Sequence, residues 1–344
     1  MANLKLSICV ATYNRGKFIG ETLDSILPQL TQDVELIVVD GASPDNTPEV
    51  MSQYLNSHPE IRYYREPENS GVDKDYDKAV GYARGQYCWL MTDDDLMSPD
   101  AIHRVMSKLG EGADIIVVNS TIKTADFSIT LEKSMLSFAE DRTFDTRNRE
   151  EFFRNTAQGL SFIGCAIVRR DFWNSRNREK YYGTLFVHVG VIFQPPGIEK
   201  AVVIAEPLVT IRYGNAMWTP QGFEIWMFKW PELVWSFPDY PDEAKASVYP
   251  REPWRKTRLL ALYRALGGYS HAQYSSHISR RTSGLCRMAS LLIALMPAAL
   301  INSAISLHCM LRNREARTGM YSLARSPHAT FITRIAARSL GVLA

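Results

Sequence analysis

The sequence predicts an α/β fold, a Rossmann-like and mainly parallel central sheet followed by a helical C-terminal region. Over roughly the first 120 residues, apolar runs of strand length alternate with stretches of helical spacing, the order that builds parallel strands joined by crossover helices. From residue 254 onward only helical patterning remains. A third observation is the charge. The 39 Lys/Arg and 37 Asp/Glu nearly cancel over 344 residues, yet they are not mixed. Residues 251–344 hold fourteen Lys/Arg against Glu252 and Glu315, a net of +12, which leaves residues 1–250 at −10. Such asymmetry points to a polyanion or an anionic membrane near the tail.

The elements follow in order. Residues 6–12 (LSICVAT) and 34–39 (VELIVV) read as buried strands. Between them, Phe18, Ile19, Leu23, Ile26, Leu27 and Leu30 recur at helical spacing. Asp45 is placed to cap a helix running to about His58. Residues 61–65 form a short third strand. Residues 72–84 are helical, with Val72, Tyr76, Ala79, Val80 and Ala83 on one side. Residues 86–92 are a fourth strand ending at Asp93-Asp94-Asp95, Ser98-Pro99 opens a helix, and 114–119 are a fifth strand. Further strand candidates lie at 160–169 and 201–212, and an aromatic-rich helical segment at 218–237. Its rings, from Trp218 to Trp235, suit either sugar stacking or core packing. The expected division is a catalytic domain over 1–237, with a nucleotide half over about 4–120 and an acceptor half over about 121–237. A linker at 238–253 and the basic helical region 254–344 follow.

With 46% hydrophobic and 22% charged residues, the composition excludes a disordered chain, a coiled coil, a collagen-like repeat and a polytopic membrane protein. Five scattered cysteines without CxxC or Cys/His ligand spacing read as buried thiols in a reducing compartment. Only Lys5 precedes the first strand-like run, with no apolar h-region, so no signal peptide is expected.

The chemistry concentrates where open parallel sheets bind ligands, beyond the carboxyl ends of the strands. The first strand ends in Thr12-Tyr13-Asn14-Arg15, the second in Asp40-Gly41-Ala42-Ser43, the fourth in Asp93-Asp94-Asp95. One acidic turn is commonly a helix cap. Three successive carboxylates after a buried strand repel one another and call for a cation. Hard oxygen ligands favour Mg²⁺ or Mn²⁺, shared with a phosphate. Residues 12–17 match neither GxGxxG nor GxxxxGK[ST], which weakens dehydrogenase and P-loop readings.

The segments LSICVATYNR (6–15), ELIVVDGASPDNT (35–47), ENSG (68–71) and WLMTDDD (89–95) resemble the nucleotide-binding half of glycosyltransferase family 2, a GT-A fold. GVDKDYDKAVGYARGQYCWLMTDDD and IRYGNAMW (211–218) are most similar to an abequosyltransferase-type bacterial subgroup that builds lipopolysaccharide O-antigen. The resemblance implies that Thr12, Tyr13, Asn14 and Arg15 bind the nucleotide-sugar and that Asp40 bonds the base or ribose. It implies that Asp95 binds the metal directly, with Asp93 or Asp94 on the ribose or a metal-bound water. After Gly71 the chain departs from the family, with Asp75-Tyr76-Asp77 where many members carry Ala-Arg-Asn. Lys74 or Arg212 would then face the diphosphate in place of the missing arginine. Asp73 would contact the nucleotide or cap the helix that follows. For the base that deprotonates the acceptor, His188 and Asp171 are the candidates. His188 is also a candidate third metal ligand, against the alternative of a core histidine; the alternative for Asp171 is a solvated helix start.

The uncharged run 288–311 exceeds the ~18 residues that flag a membrane span, but Pro297 interrupts it and Asn302, Ser303, Ser306 and His308 would need partners in lipid. Arginines flank both ends, against a single span, so an in-plane or re-entrant pair at anionic headgroups is expected. A buried packing or homo-oligomer interface is the alternative. No nucleic-acid-binding signature is present. The expectation is therefore a metal-dependent glycosyltransferase on the cytoplasmic side of the bacterial inner membrane, peripheral or monotopic. It would transfer from a nucleotide-diphosphate sugar to an undecaprenyl-diphosphate-linked oligosaccharide. The rivals are a sugar nucleotidyltransferase and a non-enzymatic nucleotide-binding scaffold.

Overall fold

A computed structural model describes residues 4–215, 221–312 and 316–343. The sheet contains β1 (Leu6–Thr12), β2 (Val34–Asp40), β3 (Arg62–Arg65), β4 (Tyr87–Met91), β5 (Leu96–Met97), β6 (Ile115–Thr124), β7 (Thr130–Glu132), β8 (Arg142–Asp145), β9 (Ala166–Arg169) and β10 (Lys200–Tyr213). Its order is β3-β2-β1-β4-β9-β6-β10-β5, with β7 on β6 and β8 on β10. The β3-β2-β1-β4 half is parallel, as the strand–helix alternation requires. Every residue of β1 and β2 is buried, which is why both read as mainly apolar runs, with Ser7 Oγ donating to Glu35 Oε1 at 2.6 Å between them. Helices α1 (Ile19–Ile26), α2 (Thr47–Ser57), α3 (Val72–Tyr82) and α4 (Ala101–Leu109) make the connections.

One feature of the sheet is not visible in local pattern. Between β4 and β6 lies β9, antiparallel to both, with Trp89 opposite Ile167 and Ile116 opposite Ile167. Strand direction is a long-range property, so four apolar residues at 166–169 give no sign of it. Helices α5 (Arg149–Thr156), α6 (Arg170–Asn174) and α7 (Val187–Phe193) complete this part, α7 being buried at all seven residues.

The chain divides into two compact units at points other than those expected. One unit contains 1–122, 133–212 and 236–248; the other contains 123–132, 213–235 and 249–344. Residues 238–253 are therefore not a linker. Asp242–Val248 is a helix of the first unit that packs on α5, where Arg154 Nη1 donates to the Glu243 carbonyl (3.2 Å). The aromatic segment belongs with the tail.

The second unit holds α8 (Thr257–Leu266), α9 (Gly284–Leu295), α10 (Ala298–Arg312), α11 (Arg317–Arg325) and α12 (Phe331–Ser339). Its core joins Phe223, Met227, Trp254, Leu260, Tyr269, Tyr274, Ile278 and Ala294. Phe223 stacks on Tyr269 with ring centroids 5.2 Å apart, and Trp230 is fully buried. Phe223 and Trp230 are therefore core and not a sugar platform, whereas Trp226, Phe228 and Trp235 are half-buried; Trp218 lies outside the described residues. All five cysteines are free thiols, four of them buried.

Candidate active site

The carboxyl ends of β1, β2 and β4 meet at one edge of the first unit, because Thr12 registers with Asp40 and Val10 with Met91. At the end of β1, Asn14 adopts a left-handed backbone (φ 58°) and donates its N–H to Ser43 Oγ at 2.9 Å. Arg15 N–H donates to Thr47 Oγ1 (3.0 Å) and Gly16 N–H to Asp45 Oδ2 (3.0 Å), so the loop after β1 is tied to the start of α2. Asp45 also accepts from Thr47 N–H at 3.1 Å, but the N-cap of α2 is Asn46 and not Asp45 as expected, and Asn46 makes no side-chain capping bond. Tyr13 is half-buried and Asn14 exposed.

The three aspartates after β4 are not equivalent. Asp93 and Asp94 keep 13% of their side chains exposed and face one guanidinium, with Arg15 Nε 3.6 Å from Asp93 and Nη2 3.5 Å from Asp94. Burial pushes the Asp93 carboxyl up to about 7, helped by the Asp94 charge and opposed by Arg15 and the Thr12 hydroxyl. Asp95 is only 3% exposed, and both of its oxygens accept from the protein. Oδ1 takes the Arg212 backbone N–H at 2.6 Å, and Oδ2 takes the Thr92 hydroxyl. Asp95 therefore fastens the acidic turn to β10, and Asp93 and Asp94 are the carboxylates it presents. These contacts give Asp95 a positioning part beside the metal role expected of it, and the less buried Asp93 and Asp94 join it as candidates to hold an ion.

Arg212 is a buried brace. Its Nε donates to the Asp94 carbonyl (2.9 Å), its Nη2 pairs with Glu21 of α1 (2.6 Å), and its guanidinium lies 5.1 Å from the Phe18 ring centre. It positions the acidic turn, where a diphosphate clamp was expected. Glu21 and Thr92 take part without having been singled out in the sequence.

Asp40 also differs from expectation. It is fully buried; Oδ1 accepts the Ser43 N–H (2.8 Å) and Oδ2 the Tyr63 hydroxyl (2.7 Å). It holds the 40–43 turn, in which Ala42 has φ 62°, through both oxygens. The neighbouring carboxylate is Asp75, also buried, whose Oδ2 would stand 2.6 Å from a Cβ at Gly41. Asp75 Oδ1 accepts from Ser70 Oγ at 2.9 Å, and burial, aided by Glu66 and Asp40, raises its pKa. The signal was available, since Asp75 precedes Ala79 by one helical turn on the apolar face of α3. Asp73 is a clamp: its carboxylate accepts N–H bonds from Gly183 (2.8 Å), Leu185 (2.9 Å) and Val187 (3.0 Å), fixing the entry to α7. That fold-holding role replaces the expected nucleotide contact. Lys74 is exposed, its Nζ 5.8 Å from the Tyr182 ring centre.

Both candidate bases are overturned. His188 is fully buried within α7, and Nε2 donates to the Leu160 carbonyl (2.6 Å) while Nδ1 has no partner. Burial drives its pKa down to about 4, so it is a neutral core histidine, neither base nor metal ligand. Asp171 follows β9, which runs antiparallel to β4, and Arg169 registers with Tyr87 at the start of β4. Asp171 thus sits at the opposite end of the sheet from Asp93. Among the described residues no cluster of three or more His, Cys, Asp or Glu forms a ready-made metal cage. Two presented carboxylates still suit an ion that takes its other ligands from substrate oxygens.

The first unit, with an acidic turn at the carboxyl edge of its parallel β3-β2-β1-β4 half, has the GT-A fold of its structural neighbours. Residues 7–175 match the glycosyltransferase family 2 model, which marks this part of the chain as a glycosyltransferase domain. Abequosyltransferase RfbV of Salmonella typhimurium is 27% identical over 232 residues, 63% of this chain and 69% of that protein. Two further relatives match over 46% and 38% of their own lengths. Among solved structures, S. aureus TarS 1-349 in complex with UDP is 15% identical with a TM-score of 0.54, covering 98% of this chain and 91% of that one. The mannosyltransferase PcManGT from Pyrobaculum calidifontis, in complex with GDP-Man and Mn2+, is 15% identical with a TM-score of 0.53, covering 99% and 86%. These two likenesses concern the fold.

Proposed function

We propose that the enzyme transfers a sugar from a nucleotide-diphosphate donor to an undecaprenyl-diphosphate-linked oligosaccharide in bacterial surface polysaccharide synthesis, of the O-antigen kind. The observation that carries the donor site is the pair Asp93 and Asp94, presented side by side and opposed by Arg15. The chemistry of that donor set fits Mg²⁺ or Mn²⁺, which Asp94 and Asp93 would hold. When bound, the ion supplies positive charge against the departing nucleoside diphosphate. The chain's own residues do the rest. Asp95, locked by Thr92 and Arg212, fixes the direction of the two carboxylates. Arg15 supplies charge that follows the diphosphate oxygens, and Tyr13, Asn14 and Asp75 border the nucleoside end. The acceptor and the cytoplasmic face of the inner membrane are supported by the relative named above and by the basic second unit.

The test is transfer or donor hydrolysis with a panel of CDP-, UDP-, GDP- and dTDP-sugars, with Mn²⁺ and with EDTA. The proposal expects one donor to be turned over, EDTA to stop it, and Asp94→Asn to abolish it. Turnover by Asp94→Asn at the wild-type rate would overturn the site assignment.

A further inference from the structure

We propose that α9 and α10 form a monotopic anchor that inserts a leucine face into one leaflet of an anionic bilayer, held chiefly by apolar burial. The inference rests on the membrane reading above and changes its physical basis from charge to insertion. The helices are 12 and 15 residues long and bend by 100° at the break between them. At about 1.5 Å per residue neither reaches across a hydrocarbon core of roughly 30 Å. No single helix among the described residues is long and apolar enough to cross.

The hairpin is inside out relative to a water-facing helix pair. Leu285 (79% exposed), Leu292 (56%), Leu295 (59%), Leu300 (64%), Leu307 (42%) and Leu311 (67%) lie on the outside. Their spacings of three, four and seven residues put each set of three along one stripe of its helix. Asn302 and Ser306 lie inside. Asn302 is fully buried, its Nδ2 donating to the carbonyls of Ala265 and Leu323 (3.2 Å each) and to Ser326 Oγ (3.0 Å), its Oδ1 accepting from Thr333. Ser303 and Ser306 bond within the same unit, and His308 is exposed one turn before Arg312. The unit's core is closed by Leu291, Ile293 and Ala294, so the outer leucines are not needed to fold it. Water-soluble surfaces rarely expose so continuous an apolar stripe.

Charge selects the occupant. Residues 253–314 contain no Asp or Glu, and Arg280, Arg281, Arg287 and Arg312, all exposed, stand at the two ends of the leucine stripe. That is the arrangement an anionic headgroup layer over hydrocarbon meets.

The test is flotation of the full chain with phosphatidylethanolamine vesicles carrying about 30% phosphatidylglycerol, at low salt and at about 0.5 M salt. Flotation is expected at both. The double variant Leu292→Asp/Leu300→Asp should lose at least about tenfold in bound fraction, and Arg280→Gln/Arg281→Gln/Arg287→Gln should lose only the salt-sensitive part. Leu285→Gln/Leu311→Gln, at the most exposed positions, repeats the test if the first variant does not fold. Wild-type protein that stays unbound, or floats only at low salt, overturns the anchor. So does a leucine variant that floats like wild type, or one that turns a dimer into a monomer without changing flotation. Nucleotide-induced thermal shifts on the same samples keep the two proposals apart. Flotation without any nucleotide response would sink the donor reading alone, and the reverse would sink the anchor alone.

Discussion

The two units bury opposite things. The first encloses seven-residue apolar strands and turns its charge out at one edge, where Asp93 and Asp94 face Arg15. The second encloses Asn302, Ser306 and Thr333 and turns leucines out along α9 and α10. Both carry strong net charge, of opposite sign, yet in neither is net charge the operative quantity. The proposed donor site uses two carboxylates at one turn, and the proposed anchor an uncharged stripe between arginines. Local burial against the expected pattern is the more informative observation.

The largest expected effect separates the aspartates. Asp94→Asn should lower turnover by on the order of 10³-fold with unchanged circular dichroism, since it removes a ligand of the ion that would offset the negative charge on the departing diphosphate. A smaller loss than for Asp95→Asn would reverse the roles assigned above.

Next is the pH dependence of the first unit. His188 titrates near 4 when folded, against 6.5 for an ordinary imidazole, so the unfolded chain binds the extra proton between those values. Stability should therefore fall as pH drops from about 6.5 to 4, by roughly 3 kcal/mol from this group. Denaturant titrations of wild type and His188→Gln across that range should show the slope weaken in the variant; parallel curves would mean His188 is accessible to solvent protons.

In the second unit, Asn302→Leu should cost about 2–3 kcal/mol, because Thr333 and two backbone carbonyls lose a buried partner. A thermal melt shows it, and a neutral result would mean the polar seam is hydrated. A gentler probe of the first unit is Gly41→Ala. Its Cβ would meet Asp75 Oδ2 at 2.6 Å, so a loss of about 1–2 kcal/mol with weakened nucleotide binding is expected. The smallest effect belongs to Asp171→Asn, which should leave turnover within about twofold, being at the far end of the sheet.

Much of the first unit was legible because parallel strands and their helices declare themselves locally. Strands β1, β2 and β4 and helices α2 and α3 lie within a few residues of where periodicity puts them, and the polar strand ends do converge. What was not legible depends on partners distant in sequence. Arg212 meets Asp95 across 117 residues and Asp73 meets Val187 across 114, so neither bond has a local signature. The direction of β9 moved Asp171 from candidate base to the wrong edge. In the tail, Asn302 and Ser306 looked like obstacles to lipid contact until the fold placed them inside.

The most direct test of the central claim, that Asp93 and Asp94 form a metal–nucleotide site, is a thermal-shift panel of nucleoside diphosphates with and without Mn²⁺. A ligand that binds only the folded state raises its stability by mass action. One nucleotide should raise the melting temperature in a Mn²⁺-dependent way, and Asp94→Asn should remove the metal-dependent part. No response to any nucleotide, or an undiminished response in Asp94→Asn, would contradict the account.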